Sequence, residues 1–497
     1  MKKPNVIFIL NDHQAFYGHG LNGGVKPIRP NFEKFASEGV EFTNAYCATP
    51  LCAPVRRTML NGQFAHKHKN YFNTSAVPYD EETYLSRFHE AGYRNFYYGK
   101  WHAGAGNATT IESQHCEGFS SDGYGNPYIT DVYKDYLKKR NLNEAEHFIK
   151  WHCNSDRLLN EGHFPKIKVG ENYKCESTWC GEHAVGITVT PKETHESFFL
   201  ANMACDKLEE LAKEDNDQPF HLRVDFWGPH QPFFPTQEFY DMYNPSEIKM
   251  YGNFDDNLEN RAEVHKTEDN RFIGGDDQKI IYPNPVPWST WQEILAHAYA
   301  HNTMIDYAAG QILDKVKELG LDENTIIVWA TDHGDALASH GGHFDKCSYM
   351  SQEVMRVPMA LKWKNKIEPN QKNDLLVSNI DLPVTFMDAA GLKFNQEVHG
   401  RSLLPIAKDK NATWREDLMS TTAGHGYVEK INGRMIVHKN YKLVKFQDQI
   451  DELYDLDKDP FELNNLAYNE EYAKIKDDLL VRLRRWQNET NDNDMIC

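Results

Sequence analysis

Paired cysteines are missing from this sequence. Nine cysteines, an odd number, are scattered along 497 residues, and no two stand as Cys-x-x-Cys. Cys175 and Cys180 come closest to metal-ligand spacing, but no partner pair comes after them. A chain this large does not need a disulfide framework, and irregular spacing argues against one, so free thiols in a reducing compartment are expected. Long apolar runs are missing too. Val6-Ile7-Phe8-Ile9-Leu10 ends at Asn11 and Asp12, too short for a signal-peptide core or a membrane span. The expected location is therefore cytoplasmic. Positive charge is scarce: Lys and Arg number 54 against 73 Asp and Glu, a formal net charge of -19. Such a surface repels nucleic acid and anionic membrane, so neither is an expected partner. It repels anionic small molecules as well, so a site for one needs local cations to reverse the field. Internal repeats and low-complexity segments are absent.

What is present is an alternation of strand-like and helix-like segments, which predicts a mostly parallel sheet covered by helices. The run Val6 to Leu10 reads as a central strand buried on both faces. Asn95 to Tyr98, His221 to Trp227 and Thr325 to Ala330 read as further strands. Trp291 to Leu319 carries helical apolar spacing and stops at Gly320. Polar residues stand just after the strands: Asp12 after the first, Lys100 and His102 after the second, His230 after the third, Asp332 and His333 after the fourth. Open α/β sheets carry their sites beyond the carboxyl ends of the strands, so one shared site is predicted. Residues 125 to 195 and 245 to 288 read as irregular insertions that shape a pocket. Their aromatics Tyr124, Tyr128, Trp151, Trp179 and Trp288 are candidates for stacking on a sugar ring. The expected fold class is α/β, a large mostly parallel central sheet flanked by helices with a smaller C-terminal α+β subdomain. Residues 1–410 are read as the catalytic domain. Residues 411–497 are read as the subdomain, with short antiparallel strands such as Tyr441 to Val444 and a final helix from about Glu470 to Gln487.

The densest cluster of chemistry is Cys52-Ala53-Pro54-Val55-Arg56-Arg57. Pro54 fixes the backbone, and the two arginines place positive charge near the thiol, which lowers a thiol pKa and attracts anions. The next residues continue as a helix to Gly62, and the free N–H groups at its start favour an anion.

These residues resemble the sulfatase family. Cys52-Ala53-Pro54-Val55-Arg56 with Asn61-Gly62 is similar to the family's C-x-P-x-R and downstream T-G, with Asn61 where threonine is usual. Asn5 to Asp12 resembles the opening strand with its metal-binding aspartate, and Gly99-Lys100-Trp101-His102 resembles G-K-W-H. Thr331-Asp332-His333-Gly334, then His340-Gly341 and Asp345-Lys346, resembles the family's T-S-D-H-G…H-G…K block, and Arg356-Val357-Pro358 closes it as in the family. Leu453-Tyr454-Asp455-Leu456, Asp459-Pro460 and Asn465-Leu466 resemble the family's C-terminal motif. The resemblance covers nearly the whole chain and implies an alkaline-phosphatase-like fold.

It also implies a mechanism. Cys52 becomes formylglycine (3-oxoalanine), held as a hydrate: one hydroxyl binds a metal and attacks sulfur, and the other expels sulfate. Asp12, Cys52, Asp332 and His333 match the metal site. Oxygen ligands make Ca²⁺ the first choice for one divalent ion, with Mg²⁺, Mn²⁺ and Zn²⁺ open because of His333. Arg56 matches the residue that steadies the hydrate. Lys100, His102, His230 and Lys346 match the cations that hold sulfate oxygens and handle the leaving group. His230 sits between the prolines of Gly228-Pro229-His230-Gln231-Pro232, and a histidine is the natural general acid. The implied partners are a small-molecule or glycan sulfate ester and a formylglycine-generating maturation enzyme; the oligomeric state stays open. Two departures stand out. His13 occupies the place of a second aspartate, and Asp332-His333 replaces the Asp-Asn of many arylsulfatases, as in choline sulfatases and phosphonate monoester hydrolases. The rival readings are a phosphonate monoester or phosphodiester hydrolase and a non-catalytic binder of sulfated glycan. His19, His66, His68, His340 and His343 are further histidines near the motifs.

Overall fold

A computed structural model describes residues 2–16, 25–121, 127–152, 170–175, 184–214, 217–267, 287–346, 348–425 and 431–494. Its frame is an eight-stranded sheet. In chain order the strands are β1 (Asn5–Asn11), β2 (Val40–Phe42), β3 (Arg94–Lys100), β4 (Cys116–Ser121), β5 (Phe220–Asp225), β6 (Thr325–Thr331), β7 (Met359–Trp363) and β8 (Gln371–Asn373). They lie in the order β8-β2-β7-β6-β1-β5-β3-β4. The five from β6 to β4 are parallel, and β7 runs antiparallel between β6 and β2. This is the expected mostly parallel sheet. The four sequence-predicted strands all form, although the third ends at Asp225, so Phe226 and Trp227 lie beyond it.

β1 shows why the sheet is central. Val6 to Leu10 are all fully buried, and alternation sends them to opposite faces. Ile7 and Ile9 join one core with Phe32, Trp291, Leu295 and Trp329. Val6, Phe8 and Leu10 join the other with Val55, Met59, Tyr84 and Phe386. Full burial of each such side chain stabilises by roughly 1.5–3 kcal/mol. The first face carries α1 (Pro30–Ser37), α4 (Glu196–Lys213) and the 31-residue α5 (Trp288–Glu318). The second carries α2 (Cys52–Asn61), α3 (Tyr84–Glu90) and α6 (Leu382–Ala389). Among the described residues no helix is long and apolar enough to cross a membrane.

The C-terminal part is an antiparallel sheet of β9 (Asp417–Thr422), β10 (Gly433–His438), β11 (Tyr441–Phe446) and β12 (Glu452–Asp455), with α7 (Ala473–Glu489) after it. Alternation splits it too. Leu418, Met435, Val437, Val444 and Phe446 face the second core of the main sheet. Met419, Ile436, Leu443 and Leu453 face Leu479, Leu483 and Trp486 of α7. The first insertion is more regular than its sequence suggests. It contains a helix at Asp131–Arg140 and strands at His147–His152, Asn172–Tyr173 and Ala184–Thr188. The polar helix is ordered by Tyr133, Tyr136 and Leu137, which enter the first core. Tyr128 and Trp288 are engaged in packing: Tyr128 against Tyr133 and His147, Trp288 against Tyr251 and Phe254. Tyr124, Trp179 and His19 lie outside the described residues, as does the side chain of Trp151.

Burial sets a pH dependence. His68, His147 and His297 are at most 5 % exposed. Burial, with Arg57 beside His68, His195 beside His147 and Lys150 beside His297, depresses each to about 3. The unfolded chain takes up these protons near pH 6.5, before the native state does, so native stability is full above that pH and falls as the pH drops toward 3. Each contributes a loss of about 1.4 kcal/mol per pH unit in that window. The melting temperature is therefore expected to drop steeply between pH 6.5 and 5 in scanning calorimetry; a flat profile there contradicts these neutral buried imidazoles.

Candidate active site

Four strand ends meet at one place. Asp12 stands just after β1, Lys100 ends β3, Asp225 ends β5, and Asp332-His333 stand just after β6. Parallel alignment of β1, β3, β5 and β6 puts all their carboxyl ends on the same edge. The Asp12 N–H donates to Gly228 O at 3.0 Å, which ties the first strand end to the loop carrying His230. Above this edge stands the N-terminus of α2. Cys52 is its first residue and Arg56 lies one turn on, so both face the strand ends. The helix stops at Gly62, whose φ of 73° suits glycine.

Arg56 is fully buried. Its Nε donates to Asp332 Oδ2 at 2.9 Å, and Nη1 donates to Asp225 Oδ2 at 3.0 Å and Lys100 O at 3.1 Å. Nη2 makes no hydrogen bond among the described residues and lies 3.6 Å from Asp12 Oδ1. Burial opposes the charge, but Asp332, Asp12 and Asp225 outweigh it and raise the guanidinium pKa. Asp225 also receives Arg223 at 2.7 and 2.8 Å and the Tyr97 hydroxyl at 2.8 Å. Lys100 donates from Nζ to Asp12 Oδ2. Burial would raise the Asp12 pKa, yet Lys100 and Arg56 hold it well below the carboxylate range.

Asp12, Cys52, Asp332 and His333 form a fully buried set whose ligand atoms all lie within 4.8 Å of one another. His333 Nδ1 donates to Gly334 O at 2.9 Å, leaving Nε2 as a lone pair that faces Cys52 Sγ at 3.0 Å. That is the tautomer a metal ligand needs. Burial depresses the His333 pKa, although Asp332 opposes this. The two carboxylates, the oriented imidazole and the side chain at 52 therefore fit one divalent cation. Asn379 supports the turn by donating to Asp332 O at 2.7 Å. The thiol departs from the sequence expectation. Burial, with Asp12 and Asp332, outweighs Lys100 and Lys346 and pushes Cys52 up to about 12. Arg57 takes no part, because Glu81 holds it at 2.5 and 2.7 Å through Nε and Nη2, and it stacks on Tyr79. Asn61 also serves Glu81, donating at 2.9 Å.

A second layer borders this set. Lys346 Nζ donates to Asp345 Oδ1 at 2.8 Å and lies 3.4 Å from His230 Nε2. His230 Nδ1 donates to Gln231 O at 2.7 Å. His13 is not among the four ligand candidates: its Nε2 lies 2.8 Å from Asp345 Oδ1, and its ring stacks on His230 with centroids 4.6 Å apart. Its φ of 71° is left-handed, a conformation that costs a non-glycine residue about 1–2 kcal/mol. The surroundings thus force His13 to brace Asp345 and His230. Asp335 lies 3.5 Å from His13 Nδ1, and burial beside Asp345 pushes it up to about 8. His102 donates from Nε2 to Asn73 O at 3.0 Å.

The expected four cations reduce to two lysines. Burial, with Lys100 and Arg56, depresses the His102 pKa well below the ordinary value; burial, with Lys346 and His13, does the same to His230. Both imidazoles are neutral with these neighbours. His66, His68, His340 and His343 are occupied elsewhere. His66 meets Thr490 O, His68 meets Thr58 Oγ1, His340 meets Asp256, and His343 meets His265 O. Sequence reading missed Asp225, Asp335, Asn73 and Asn379 as site residues. Asp225 had a signal, an acid closing the strand Phe220 to Val224, in which apolar residues alternate with His221 and Arg223; the others, on turns and loops, carried none.

Known proteins share this architecture. The family profile described as Sulfatase matches residues 4–392, and the one described as N-sulphoglucosamine sulphohydrolase, C-terminal, matches residues 339–489. An N-acetylglucosamine-6-O-sulfatase of Bacteroides thetaiotaomicron is 25% identical over 99% of this chain and 88% of its own. A protein solved in complex with its substrate D-glucosamine-2-N,6-O-disulfate superposes with a TM-score of 0.71 at 21% identity, covering 99% of both chains. A phosphonate monoester hydrolase of Agrobacterium radiobacter superposes with a TM-score of 0.77 at 18% identity, covering 98% of this chain and 96% of its own.

The buried charges make the site testable in two ways. Arg56→Met leaves Asp12, Asp225 and Asp332 facing one another, and is expected to destabilise by about 3–5 kcal/mol; calorimetry reads this as a lower melting temperature, only partly recovered in Arg56→Lys, which lacks the planar fork. In chelator-treated protein with an unconverted cysteine, iodoacetamide at pH 8 is expected to label Cys52 only after unfolding, as read by peptide mass spectrometry. Rapid labelling of the native state would contradict the raised thiol pKa.

Proposed function

The chain belongs to the sulfatase family and is a hydrolase of sulfuric esters; from that premise we propose that it cleaves a sulfate monoester on a carbohydrate or other small molecule. Formylglycine derived from Cys52 by a maturation enzyme and one divalent ion, Ca²⁺ for preference, complete the proposed site. The observation that carries this reading is the placement of Cys52 at the head of α2, 3.0 Å from the lone pair of His333 and one turn before the buried Arg56. Arg56, one turn along α2 from Cys52, has an Nη2 that makes no hydrogen bond among the described residues; a guanidinium N–H is a strong donor to oxygen and a poor match for a thiol, which supports conversion of Cys52.

Asp12, Asp332 and His333 would hold the ion beside residue 52. When bound, the ion supplies Lewis acidity and the converted side chain supplies a nucleophilic hydroxyl. The rest falls to the chain's own residues. Arg56 fixes the spacing of three carboxylates, two by hydrogen bonds and Asp12 across 3.6 Å from Nη2. Four carboxylates (Asp12, Asp225, Asp332 and Asp345) stand against four cations (Arg56, Lys100, Arg223 and Lys346), all buried. Asp335, pushed to about 8, adds little charge at neutral pH. The protein groups alone nearly cancel, so a divalent ion makes the pocket positive and admits an anionic ester into an acidic protein. Lys346, raised well above its ordinary value despite burial because Asp345 faces it, keeps its proton and binds anionic oxygen. His230 is the weaker holder of protons facing the same space. An anionic ester beside it raises its proton affinity, which suits it to carry a proton to the leaving alkoxide.

A carbohydrate is favoured because the glucosamine-disulfate complex and the N-acetylglucosamine sulfatase both span nearly the whole chain. Mass spectrometry of the peptide containing Cys52, from a host able to mature sulfatases, is expected to show the aldehyde. An unmodified thiol in active enzyme would overturn the mechanism. The phosphonate hydrolase neighbour makes the rival concrete, so parallel assays on a sulfate monoester and a phosphonate monoester decide between them. Turnover is expected to favour the sulfate ester, and faster turnover of the phosphonate would remove the sulfatase reading.

A further inference from the structure

The first insertion and the two helices on the first face of the sheet meet at a buried cluster that the reaction does not use. His195 caps the N-terminus of α4, Glu196 is that helix's first residue, and His301 lies in the middle of α5. Their exposures are 2 %, 8 % and 1 %. One ligand atom from each lies within 4.8 Å of the other two. Both ring nitrogens of His301 are buried and make no hydrogen bond among the described residues. That is unusual, because a neutral imidazole buried away from water normally satisfies its donor and its acceptor.

Distances explain what the ring lacks. His301 Nε2 stands 3.9 Å from Glu196 Oε1, beyond any hydrogen bond. Two ligands on one zinc ion, at about 2.0–2.2 Å each, sit roughly 3.4 Å apart in a tetrahedral arrangement. The gap is therefore too wide for a shared proton and close to that of a shared cation. Glu196 brings the charge, as a buried carboxylate between two imidazoles. His195 Nδ1 lies 2.9 Å from Glu196 Oε2, so two of the three side chains already meet. The support one layer out is also present: the Tyr128 hydroxyl donates to Glu196 Oε2, and the Tyr133 hydroxyl donates to Thr194 O at 2.6 Å. Such contacts orient metal-binding carboxylates and imidazoles.

We propose that His195, Glu196 and His301 form a second, structural site for a divalent transition-metal ion, zinc by the chemistry of two imidazoles and one carboxylate. An ion there clamps α4 to α5 and, through Tyr128, the start of the insertion. It also lies behind the catalytic loop. A Cβ added to Gly228 would come within 2.8 Å of His301 Nε2, so the backbone two residues before His230 rests on this ring. The site fixes a wall of the active site without entering the chemistry.

The test uses the full-length Cys52→Ala protein, which removes the thiol as a competing soft ligand. It is loaded with Zn²⁺, passed over a chelating resin, and assayed for metal by mass spectrometry. One retained zinc per chain is expected. That zinc should persist when Asp332→Asn is added and disappear when His301→Ala is added. Zinc content unchanged by His301→Ala, or lost with Asp332→Asn alone, overturns the proposal. If His301→Ala does not fold, anomalous diffraction from Zn²⁺-loaded Cys52→Ala crystals decides instead. A zinc peak among His195, Glu196 and His301 supports the site, and an empty map there overturns it.

Discussion

The Arg56 guanidinium is the constraint on which the active site depends. Three strands deliver Asp12, Asp225 and Asp332 to one edge of the sheet, and three carboxylates so placed repel one another in a medium where water cannot screen them. Arg56 reaches two of them by direct hydrogen bonds and faces the third at 3.6 Å. Its planar fork fixes the spacing as well as the charge, which a lysine would not do. Because Arg56 is one helical turn from Cys52, the ion pairs that hold the strand ends together also fix residue 52 over them. One arginine thus sets both the spacing of the strand ends and the position of residue 52.

The sheet, by contrast, needs no such device, and it was readable in advance for that reason. Val6 to Leu10 and Ile326 to Ala330 are apolar without alternation, which only a strand buried on both faces requires. The positions of Asp12, Lys100, Asp332 and His333 after strands were readable too, since parallel strands bring their carboxyl ends together whatever the length of chain between them. The insertion was not readable. Asp131 to Arg140 is a polar helix, ordered by Tyr133, Tyr136 and Leu137 alone. Three buried apolar side chains in ten residues, beside an exposed Val132, do not announce a helix until the surface they pack against is known. Asp225 closed a readable strand, but its duty was not readable, because its partners Arg56 and Tyr97 come from two other segments and Arg223 from its own strand.

Histidine marks the limit of residue-type reasoning here. His102 and His230 look like cations in a motif, yet burial beside Lys100, Arg56 and Lys346 makes them neutral donors and acceptors. His333 has the same side chain and a different duty, set by one backbone acceptor, Gly334 O, that fixes its tautomer. His13 departs from the family's second aspartate and, rather than joining the four ligand candidates, turns away from them to brace Asp345. A carboxylate at position 13 would face Asp345 and Asp335 across a dry space. A neutral imidazole there lets Asp345 spend its charge on Lys346.

That substitution bears on how an acidic protein accepts an anion. The formal charge of -19 is a surface property, screened by salt within about 8–10 Å. The pocket is buried, and its field is set by the few groups that line it. Each carboxylate there has a cation against it: Asp12 has Lys100, Asp345 has Lys346, Asp225 has Arg223, and Asp332 has Arg56. Histidine at 13 adds no further negative charge to this set, so the field that an anionic ester meets is set by these local pairs rather than by the net charge of the chain.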